Sequence, residues 1–479
     1  MSSALLSVGI DVGTSTTQVV FSRLHLRDRG SRFTAPDIHI TGTEVIYHSK
    51  VHITPLLDAV RIDANALRLL TEEEFRCAGI APGDTDTGAV IITGESARKE
   101  NAAAVLEQLS GLAGDFVVAT AGPDLESRIA GQGSGAQEES RVRRCRVANF
   151  DIGGGTTNIA VFDCGTLVAV GCYDIGGRML RFSSNGALTD ISPGAMQAAA
   201  HCGLRLQASQ VPSMDDLRKL AQAIAQILEQ AILPQRASPL LHSLRTPAST
   251  ALILDKPVDA VCFSGGVADC IYTAAHDNFA FGDFGVLLGR AIRMGKLFSY
   301  PVLTPKETIR ATVIGAGSYT TTLSGSTIRY TNAALFPIKN LPVFALNSSQ
   351  EEAAFAGRDC DIAKCLRWFL RQADVPQAAI AMQGKPSPGW QELKRMAEAL
   401  ANAVCAAVPP GRPGELPIIL LARHDMGKAL GQAIAPFAQG RPVISLDGIA
   451  AGEHHYLDIG RPVMHGQAVP VVVKTLMFG

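Results

Sequence analysis

Short apolar runs alternate along this chain with longer stretches in which apolar residues recur every three or four positions. Residues 5–10 and 147–150 are runs of the first kind. Each is followed by a glycine-containing turn and a second apolar run, which predicts a strand, a tight turn and a strand. Residues 214–231 follow Ser213 and place their apolar side chains on one helical face, which predicts a long amphipathic helix. Strands that alternate with helices in this way predict layered α/β structure.

Further strands and helices divide the chain into three parts. We expect a first half-molecule in residues 1–144, a second in residues 145–325 and an additional C-terminal α/β region in residues 326–479. The polar and basic segment 136–144 predicts a connection between the first two. Strand–turn–helix units are predicted within these parts at residues 88–110, 116–135, 258–268 and 417–435. A small-residue helix is predicted at 309–318 and a last strand at 470–473.

Charge and composition exclude several classes of partner. The 479 residues include 43 basic and 44 acidic ones, so no strong basic field favours nucleic acid or an anionic membrane. No segment supplies the ~18 uninterrupted apolar residues of a membrane-spanning helix, and the N-terminus lacks the features of a secretory signal. Ten cysteines without a C-x-x-C pair are typical of reduced thiols. We expect a cytoplasmic protein that binds neither nucleic acid nor membrane.

One motif occurs twice, at a constant offset of 140 residues. Residues 11–21 and 151–161 both fit D-x-G-x-x-T-T-[QN]-[VI]-x-[FV]. In each copy an aspartate ends the first strand, where it could hold a metal ion directly or through water. The turn that follows offers backbone N–H groups and hydroxyls to phosphate oxygens. The candidate phosphate-binding residues are Gly13, Thr14, Ser15, Thr16, Gly153, Gly154, Gly155 and Thr156.

Two such hairpins predict two related halves that face one nucleotide. Asp11 and Asp151 would share a hydrated Mg²⁺ at facing strand ends, and ATP would lie between the turns. Gly265 and Gly266, at the start of a predicted helix, would let the backbone approach adenosine or its α-phosphate. No G-x-x-x-x-G-K-[ST] segment is present, which disfavours a Walker-type nucleotide site. No G-x-G-x-x-G follows the first strand, which disfavours a dinucleotide-binding domain. The alternative is a duplicated hairpin whose glycines serve turn geometry alone.

Candidate catalytic residues follow from the same geometry. Asp11 and Asp151 would act through the metal, and hydrolysis also needs a group that orients water. Glu95, after a predicted buried strand, is one candidate for that role, and Glu126 is another. The competing interpretation makes Glu95 a helix cap and Glu126 part of a solvated helix face.

Five elements in a defined order resemble the superfamily of actin, heat-shock chaperones and sugar kinases. They are the first hairpin, the strand and helix near 116–135, the second hairpin, the Ser-Gly-Gly turn at 264–266 and the small-residue helix near 309–318. The resemblance implies duplicated actin-like, ribonuclease H-like ATPase domains. Heat-shock relatives carry a glutamate just before a proline in the second element, where this chain has Gly122 before Pro123. The resemblance therefore implies a weak ATPase.

A closer resemblance, over most of the chain, is to the reactivating factors of ethanolamine ammonia-lyase. It implies ATP- and Mg²⁺-dependent, chaperone-like release of damaged cobalamin from that lyase and its exchange for adenosylcobalamin. The lyase is the implied partner, in ethanolamine catabolism and in association with a bacterial microcompartment, and a homo-oligomer stays open. The stretches that carry the resemblance are residues 5–14, 89–97, 114–119, 121–127, 150–158, 263–269 and 466–476.

Three other functions remain open on the same fold. A small-molecule kinase would need a carboxylate base aimed at a substrate hydroxyl, and the sequence identifies none. An actin-type scaffold would use nucleotide to control its assembly. A structural subunit would keep the fold without the activity.

Overall fold

The computed structural model of the chain describes most of its residues, and the elements below lie within them. The described ranges are residues 3–14, 16–28, 38–58, 61–93, 96, 99–102, 104–105, 108–109, 117–120, 122–233, 238–247, 249–273, 277–319, 322–324, 327–358, 361–408, 416–452, 455–463 and 466–475.

The first sheet is a three-stranded antiparallel meander extended by two parallel strands. Its elements are β1 (Ser3–Val12), β2 (Thr16–Asp28), β3 (Ile38–His48), β4 (His52–Ile53), α1 (Ala64–Ala78), β5 (Thr87–Ile92) and β6 (Val117–Thr120). The strand order is β3-β2-β1-β5-β6, and the short β4 also pairs with β2. β5 and β6 run parallel to β1. Leu67 and Phe75 of α1 pack with Phe21 into a core on one face of the sheet.

The second sheet repeats that plan. Its order is β13-β12-β7-β8-β9, in which the antiparallel meander β7-β8-β9 is followed outward by two strands parallel to β7. The elements of this part are α2 (Pro123–Gly133), α3 (Ala136–Arg143), β7 (Arg146–Ile152), β8 (Thr157–Asp163), β9 (Thr166–Tyr173), β10 (Leu180–Phe182), β11 (Leu188–Ile191), α4 (Pro193–His201), α5 (Met214–Ala231), α6 (Pro239–Ser243), β12 (Ala260–Ser264), α7 (Gly266–Tyr272), α8 (Gly285–Met294), β13 (Val302–Leu303) and α9 (Ala311–Tyr319).

The equal strand order of the two sheets confirms the predicted duplicated, ribonuclease H-like fold. In each sheet the first strand is central, with the meander on one side and the parallel strands on the other. The D-x-G hairpins are the β1–β2 and β7–β8 pairs. Each aspartate therefore stands near the end of the central strand of its own sheet.

Two helices join the sheets, because each packs on the sheet that it does not follow in the chain. Helix α2 follows the first sheet in the chain but packs on β7, β8 and β9, whereas α9 follows the second sheet and packs on β1, β2 and β5. The two helices also pack against each other, with almost no space between them. A Cβ atom on Gly133 would lie 1.8 Å from the carbonyl oxygen of Ala311, and one on Gly315 would lie 2.1 Å from that of Ile129. Glycine at both positions lets the backbones touch.

Segment 136–144, which we expect to connect the first two parts, is mostly helical. It forms helix α3 over Ala136–Arg143, which packs against β7 and β8. Its polar residues form pairs one turn apart, because Glu138 meets Arg141 at 2.6 Å and Glu139 meets Arg143 at 2.7 Å. Such pairs stabilise an exposed helix face, so a polar composition there is compatible with regular structure.

The long amphipathic helix is confirmed as α5. The Ser213 hydroxyl caps it by accepting a hydrogen bond of 3.1 Å from the backbone N–H of Asp216. Its predicted apolar residues, Leu217, Leu220 and Ile224 among them, lie in the core beneath the second sheet. Among the helices in the described ranges, none combines the length and apolar character needed to cross a membrane.

The C-terminal part, residues 322–475, contains a mixed sheet and confirms the additional α/β region. The strand order is β14-β21-β20-β16-β17-β18-β19-β15, in which β16 to β19 are parallel and helices cover one face. The elements are β14 (Thr322–Leu323), β15 (Arg329–Tyr330), β16 (Ile338–Ala345), α10 (Ser348–Ala356), α11 (Ile362–Gln372), β17 (Ala379–Met382), α12 (Trp390–Ala407), β18 (Ile418–Ala422), α13 (Gly427–Ile434), β19 (Val443–Leu446), β20 (His455–Ile459) and β21 (Pro470–Thr475).

The C-terminal part is attached to the first sheet. Leu5, Leu24 and Leu26 of β1 and β2 form a buried cluster with Ala468, and β21 also packs near β6. Because Leu5 lies near the start of β1 and Asp11 near its end, this contact is at the far end of the sheet from the first D-x-G turn.

We expect that Gly315→Ala lowers the free energy of unfolding by about 1–3 kcal/mol, because the added methyl group forces α9 away from α2. Urea unfolding followed by circular dichroism measures this loss. Gly83→Ala is the matched control, since a Cβ there would meet no atom within 4 Å. Equal unfolding midpoints for the two variants would contradict the tight crossing.

Candidate functional site

The two D-x-G turns have the same backbone hydrogen bond. The Gly13 N–H donates to the Thr16 carbonyl at 2.9 Å, and the Gly153 N–H donates to the Thr156 carbonyl at 2.9 Å. Thr14 and Thr16 are partly exposed, as are Gly13 and the three glycines 153–155, whereas Thr156 is buried. Ser15, predicted to bind phosphate, lies outside the described residues. The sequence repeat thus encodes two equivalent turns.

The amide residue of each motif lies opposite the aspartate and anchors a crossing helix. Gln18 pairs in register with Asp11, and Asn158 with Asp151. The Gln18 amide donates to the Ile309 carbonyl, just before α9, at 3.3 Å. In the other half the Ser127 hydroxyl of α2 donates to the Asn158 side-chain oxygen at 3.3 Å. The repeat therefore fixes the helices as well as the turns.

Hydroxyl groups from neighbouring elements hold both carboxylates. The Asp151 carboxylate accepts hydrogen bonds from the Ser264 hydroxyl at 2.6 Å and from the Thr312 hydroxyl at 3.3 Å. Asp11 accepts one from the Thr93 hydroxyl at 3.0 Å. Ser264 ends β12 and Thr93 follows β5, so these two donors come from equivalent strands. Thr312 comes from α9, and it connects the helix on the first sheet to the aspartate of the second.

Both aspartates bind their protons more tightly than an ordinary carboxyl group. Burial raises the pKa of Asp11 from 3.8 to about 7; the Thr93 hydrogen bond opposes this shift, and the nearby Asp151 carboxylate adds to it. Burial raises the pKa of Asp151 from 3.8 to about 6 against the hydrogen bonds from Ser264 and Thr312. A cation between the two carboxylates would offset both burial and mutual repulsion.

This donor set fits a magnesium ion. Mg²⁺ in nucleotide sites takes one or two carboxylates and completes its octahedral coordination with water and phosphate oxygens. Asp11 and Asp151 supply two carboxylates that act on each other electrostatically. In the described ranges no group of three or more His, Cys, Asp or Glu side chains could hold a metal ion. A metal ion at Asp11 and Asp151 would therefore need water or phosphate oxygens to complete its coordination.

Side chains on neighbouring segments support the first turn. The Thr54 hydroxyl donates to the Gly13 carbonyl at 2.8 Å, and the Ser96 hydroxyl donates to it at 3.0 Å. Both residues are distant from the motif in sequence, and the sequence analysis missed their role. Glu95, the first candidate for orienting water, lies outside the described residues, although its neighbour Ser96 is next to the turn.

The segment 176–178, which contains two consecutive glycines, packs against the second turn. The Gly177 N–H donates to the Gly153 carbonyl at 2.9 Å, and the Arg178 N–H donates to the Gly154 carbonyl at 2.7 Å. A Cβ atom on Gly176 would lie 2.3 Å from the Gly154 carbonyl oxygen, so only glycine allows this approach. The sequence analysis did not identify this segment, although two consecutive glycines after a strand are a signal of close backbone contact.

The Ser-Gly-Gly turn lies beside the second aspartate. Ser264 pairs in register with Asp151, and Gly265 has a φ of 83°. A Cβ there would lie 2.4 Å from the Ile152 carbonyl oxygen, so the position requires glycine for both reasons. Gly266 is exposed, and a Cβ on it would meet no atom within 4 Å. Gly265 and Gly266 therefore both lie next to the second turn, and the space that a side chain on Gly266 would occupy is open.

Glu126, the second candidate for orienting water, lies in the first turn of α2 and is half-buried. Its neighbour Asp124 has the clearer structural role. The Asp124 carboxylate accepts hydrogen bonds from the Ser249 hydroxyl at 3.0 Å and from the backbone and hydroxyl of Thr250. It thereby ties the start of α2 to a loop of the second half.

Comparison with known proteins identifies relatives over the whole length. The family model "Ethanolamine utilisation protein EutA" matches residues 3–479. The chain is similar to "Ethanolamine ammonia-lyase reactivase EutA" of Salmonella typhimurium, with 38% identity over 99% of this chain and 98% of the relative. The protein of the same description in Escherichia coli K12 is 36% identical over the same shares. Among solved structures, the Aquifex aeolicus PPX-GPPA enzyme matches with a TM-score of 0.40 and 13% identity, over 65% of this chain and 99% of that one.

The raised pKa of Asp11 predicts a pH-dependent stability difference. Because the folded-state pKa of about 7 exceeds the ordinary 3.8, the contribution of this group is fully present below about pH 4 and is lost as the pH rises through 7. Without nucleotide and with EDTA, Asp11→Asn should melt roughly 3–6 °C above the wild type at pH 8, and the gain should shrink at pH 5. Asp190→Asn, at an exposed position, is the control. A gain of the same size at both pH values would refute this prediction.

Proposed function

Because this chain belongs to the ethanolamine utilisation protein EutA family, we propose that it reactivates ethanolamine ammonia-lyase in a cycle that depends on ATP and Mg²⁺. In this cycle damaged cobalamin leaves the lyase and adenosylcobalamin replaces it. The observation that carries the proposal is the full-length similarity, at 38% and 36% identity, to two proteins described as ethanolamine ammonia-lyase reactivases. The lyase is accordingly the proposed partner.

The paired turns are the proposed nucleotide site. Asp11 and Asp151 would bind Mg²⁺, and the backbone of Gly265 and Gly266 would approach the adenosine end of the nucleotide. The raised pKa values of Asp11 and Asp151, and the hydroxyl donors that hold each carboxylate in place, support a metal role over a merely structural one. The proposed phosphate-binding residues are Gly13, Thr14, Ser15, Thr16, Gly153, Gly154, Gly155 and Thr156.

The chain's own groups would keep the metal ligands in place. Ser264 and Thr312 donate to different oxygens of the Asp151 carboxylate, one bond to each, which restricts its rotation. The Thr93 hydroxyl donates a hydrogen bond to one oxygen of the Asp11 carboxylate. When bound, Mg²⁺ neutralises the charge that develops as the γ-phosphate leaves.

Hydrolysis itself is proposed to be slow. Gly122 stands before Pro123 at the start of α2, where a glutamate would otherwise be available to orient water. Glu95 and Glu126 remain the candidates for that role. A slow step suits a protein whose nucleotide state has to persist while a partner exchanges its cofactor.

The crossing helices offer a route from the nucleotide to the partner. Thr312 of α9 contacts Asp151 in the second half, while the rest of α9 packs on the first sheet. A nucleotide that pulls both aspartates toward one metal would therefore change the relation between the halves. Two arrangements with different affinities for the lyase are sufficient to drive exchange.

We also keep the finer assignments as proposals. The domain limits 1–144, 145–325 and 326–479 can be tested by limited proteolysis with and without nucleotide. A cytoplasmic location in association with a microcompartment can be tested by microscopy of a tagged chain in cells grown on ethanolamine. Binding to nucleic acid is not expected, and gel filtration with light scattering decides between monomer and homo-oligomer.

The central experiment uses ethanolamine ammonia-lyase blocked with a cobalamin that lacks the adenosyl group. With this protein, ATP, Mg²⁺ and free adenosylcobalamin, lyase turnover should return, and Asp151→Ala should slow its return by about 100-fold because a metal ligand is lost. The melting temperature of the variant shows whether it remains folded. Asp190→Ala is the control and should act like the wild type.

Three results would overturn the proposed function. Reactivation that proceeds equally without nucleotide, or with the double variant Asp11→Ala and Asp151→Ala, would remove the ATP cycle. Phosphate transfer to a small-molecule hydroxyl would indicate a kinase. Sedimentation of the protein on addition of ATP, without any effect on the lyase, would indicate a scaffold.

We further expect Gly155→Val to abolish detectable ATP binding, because its side chain would occupy the space of the phosphate in the second turn. Isothermal titration calorimetry with Mg²⁺-ATP measures this. Gly452→Val, at a position where a Cβ meets no atom within 4 Å, is the control. Unchanged ATP affinity in a folded Gly155→Val protein would move the phosphate site elsewhere.

A further inference from the structure

Neither D-x-G motif contains a cation. Residues 11–21, 151–161 and 264–268 include no lysine or arginine, and the two aspartates add negative charge to the cleft. A nucleotide triphosphate brings several more negative charges, of which one Mg²⁺ compensates two. Phosphate sites usually add a lysine or arginine for this purpose.

Arg178 lies where it could supply the missing cation. Its backbone N–H donates to the Gly154 carbonyl at 2.7 Å, which fixes the residue directly beside the second turn. Its side chain is 29% exposed, and burial is the main cause that lowers the pKa of its guanidinium. The next arginine, Arg181, is exposed on β10. Arg178 thus carries a partly desolvated cation on a residue whose backbone contacts a proposed phosphate-binding residue.

Three segments meet at this point. A Cβ atom on Gly177 would lie 2.9 Å from the Val267 side chain and 3.2 Å from the Cα atom of Gly285. The Gly177 N–H is bonded to Gly153, and its carbonyl accepts a hydrogen bond from the Phe284 N–H at 2.9 Å. The segment that carries Arg178 therefore runs between the second turn, which we propose for phosphate, and Val267, which follows the glycine pair that we propose for adenosine.

The partner of the guanidinium is a weak one. Arg178 Nε lies 3.7 Å from the nearer carboxylate oxygen of Asp283, beyond the distance of a good charge-assisted hydrogen bond. The other oxygen of Asp283 is already engaged by the Gly285 N–H at 2.9 Å. Arg181 also acts electrostatically on both residues. Arg178 could leave this contact without breaking a strong bond.

On these observations we propose that the Arg178 guanidinium binds the phosphate chain of the nucleotide and that Asp283 holds it when nucleotide is absent. The inference rests on the proposed nucleotide function and adds to it a residue outside the repeated motif. A guanidinium can bind phosphate through two parallel hydrogen bonds, which the long contact to Asp283 does not provide. The phosphate groups of ATP would therefore replace Asp283 as the partner of the Arg178 guanidinium.

Isothermal titration calorimetry with Mg²⁺-ATP and with adenosine tests the role of Arg178. Arg178→Gln should weaken ATP binding by roughly 10- to 100-fold, as expected for hydrogen bonds between charged groups, and leave adenosine binding unchanged. Arg178→Lys should recover part of the ATP affinity, because lysine restores the positive charge but not the two parallel N–H donors of the guanidinium. Arg205→Gln, at an exposed position in the same half, is the control and should change ATP affinity by less than twofold.

Asp283→Asn tests the exchange itself. The asparagine oxygen can still accept the bond from the Gly285 N–H, but the charge that competes for Arg178 is gone. ATP affinity should rise severalfold in this variant and should not rise when Arg178→Gln is also present.

The possible failures are distinguishable. If the wild type binds no ATP, the proposed nucleotide function falls and this inference falls with it. If the wild type binds ATP and Arg178→Gln binds it within twofold as tightly, only the inference is overturned. Equal losses for ATP and adenosine would assign Arg178 a structural role instead, and weaker ATP binding by Asp283→Asn would overturn the exchange.

Discussion

The constraint on which the rest of this structure depends is the burial of two acidic groups close to each other. Asp11 and Asp151 end the central strands of separate sheets, and each carboxylate raises the free energy of the folded state when it is ionised without a cation. Hydroxyls from the neighbouring strands and from α9 reduce that cost but do not remove it. The surrounding turns, glycines and crossing helices are arranged around this pair, which is why we propose that a cation binds there.

The exchange of helices between the sheets makes the two halves dependent on each other. If each half carried its own helix, the cleft could open with little loss of contact. Here α2 and α9 each belong by sequence to one sheet and by packing to the other, and their backbones touch at Gly133 and Gly315. Any relative motion of the halves would have to preserve or break this crossing, because the backbones leave no space there.

Local features of this fold could be predicted from the sequence, and long-range ones could not. The repeated motif identified both turns because a strand, a turn and a strand are encoded by adjacent residues, and Ser213 with its apolar pattern identified α5 for the same reason. Thr312 and Asp151 are 161 residues apart, and no local pattern links them. The same applies to Thr54 beneath Gly13 and to the pairing of β14 with β21.

The attachment of the C-terminal part to the far end of β1 has a mechanical consequence. At about 3.3 Å per residue, the strand from Leu5 to the first turn is roughly 25 Å long. The contact of Leu5 with Ala468 places the C-terminal part at the outer end of this strand, and α9 packs on the same strand. If nucleotide binding tilts β1 by a few degrees, as the proposed cycle requires, the outer end of the strand would move by about an ångström or more. The contact with Ala468 would then carry a change at the cleft into the C-terminal part.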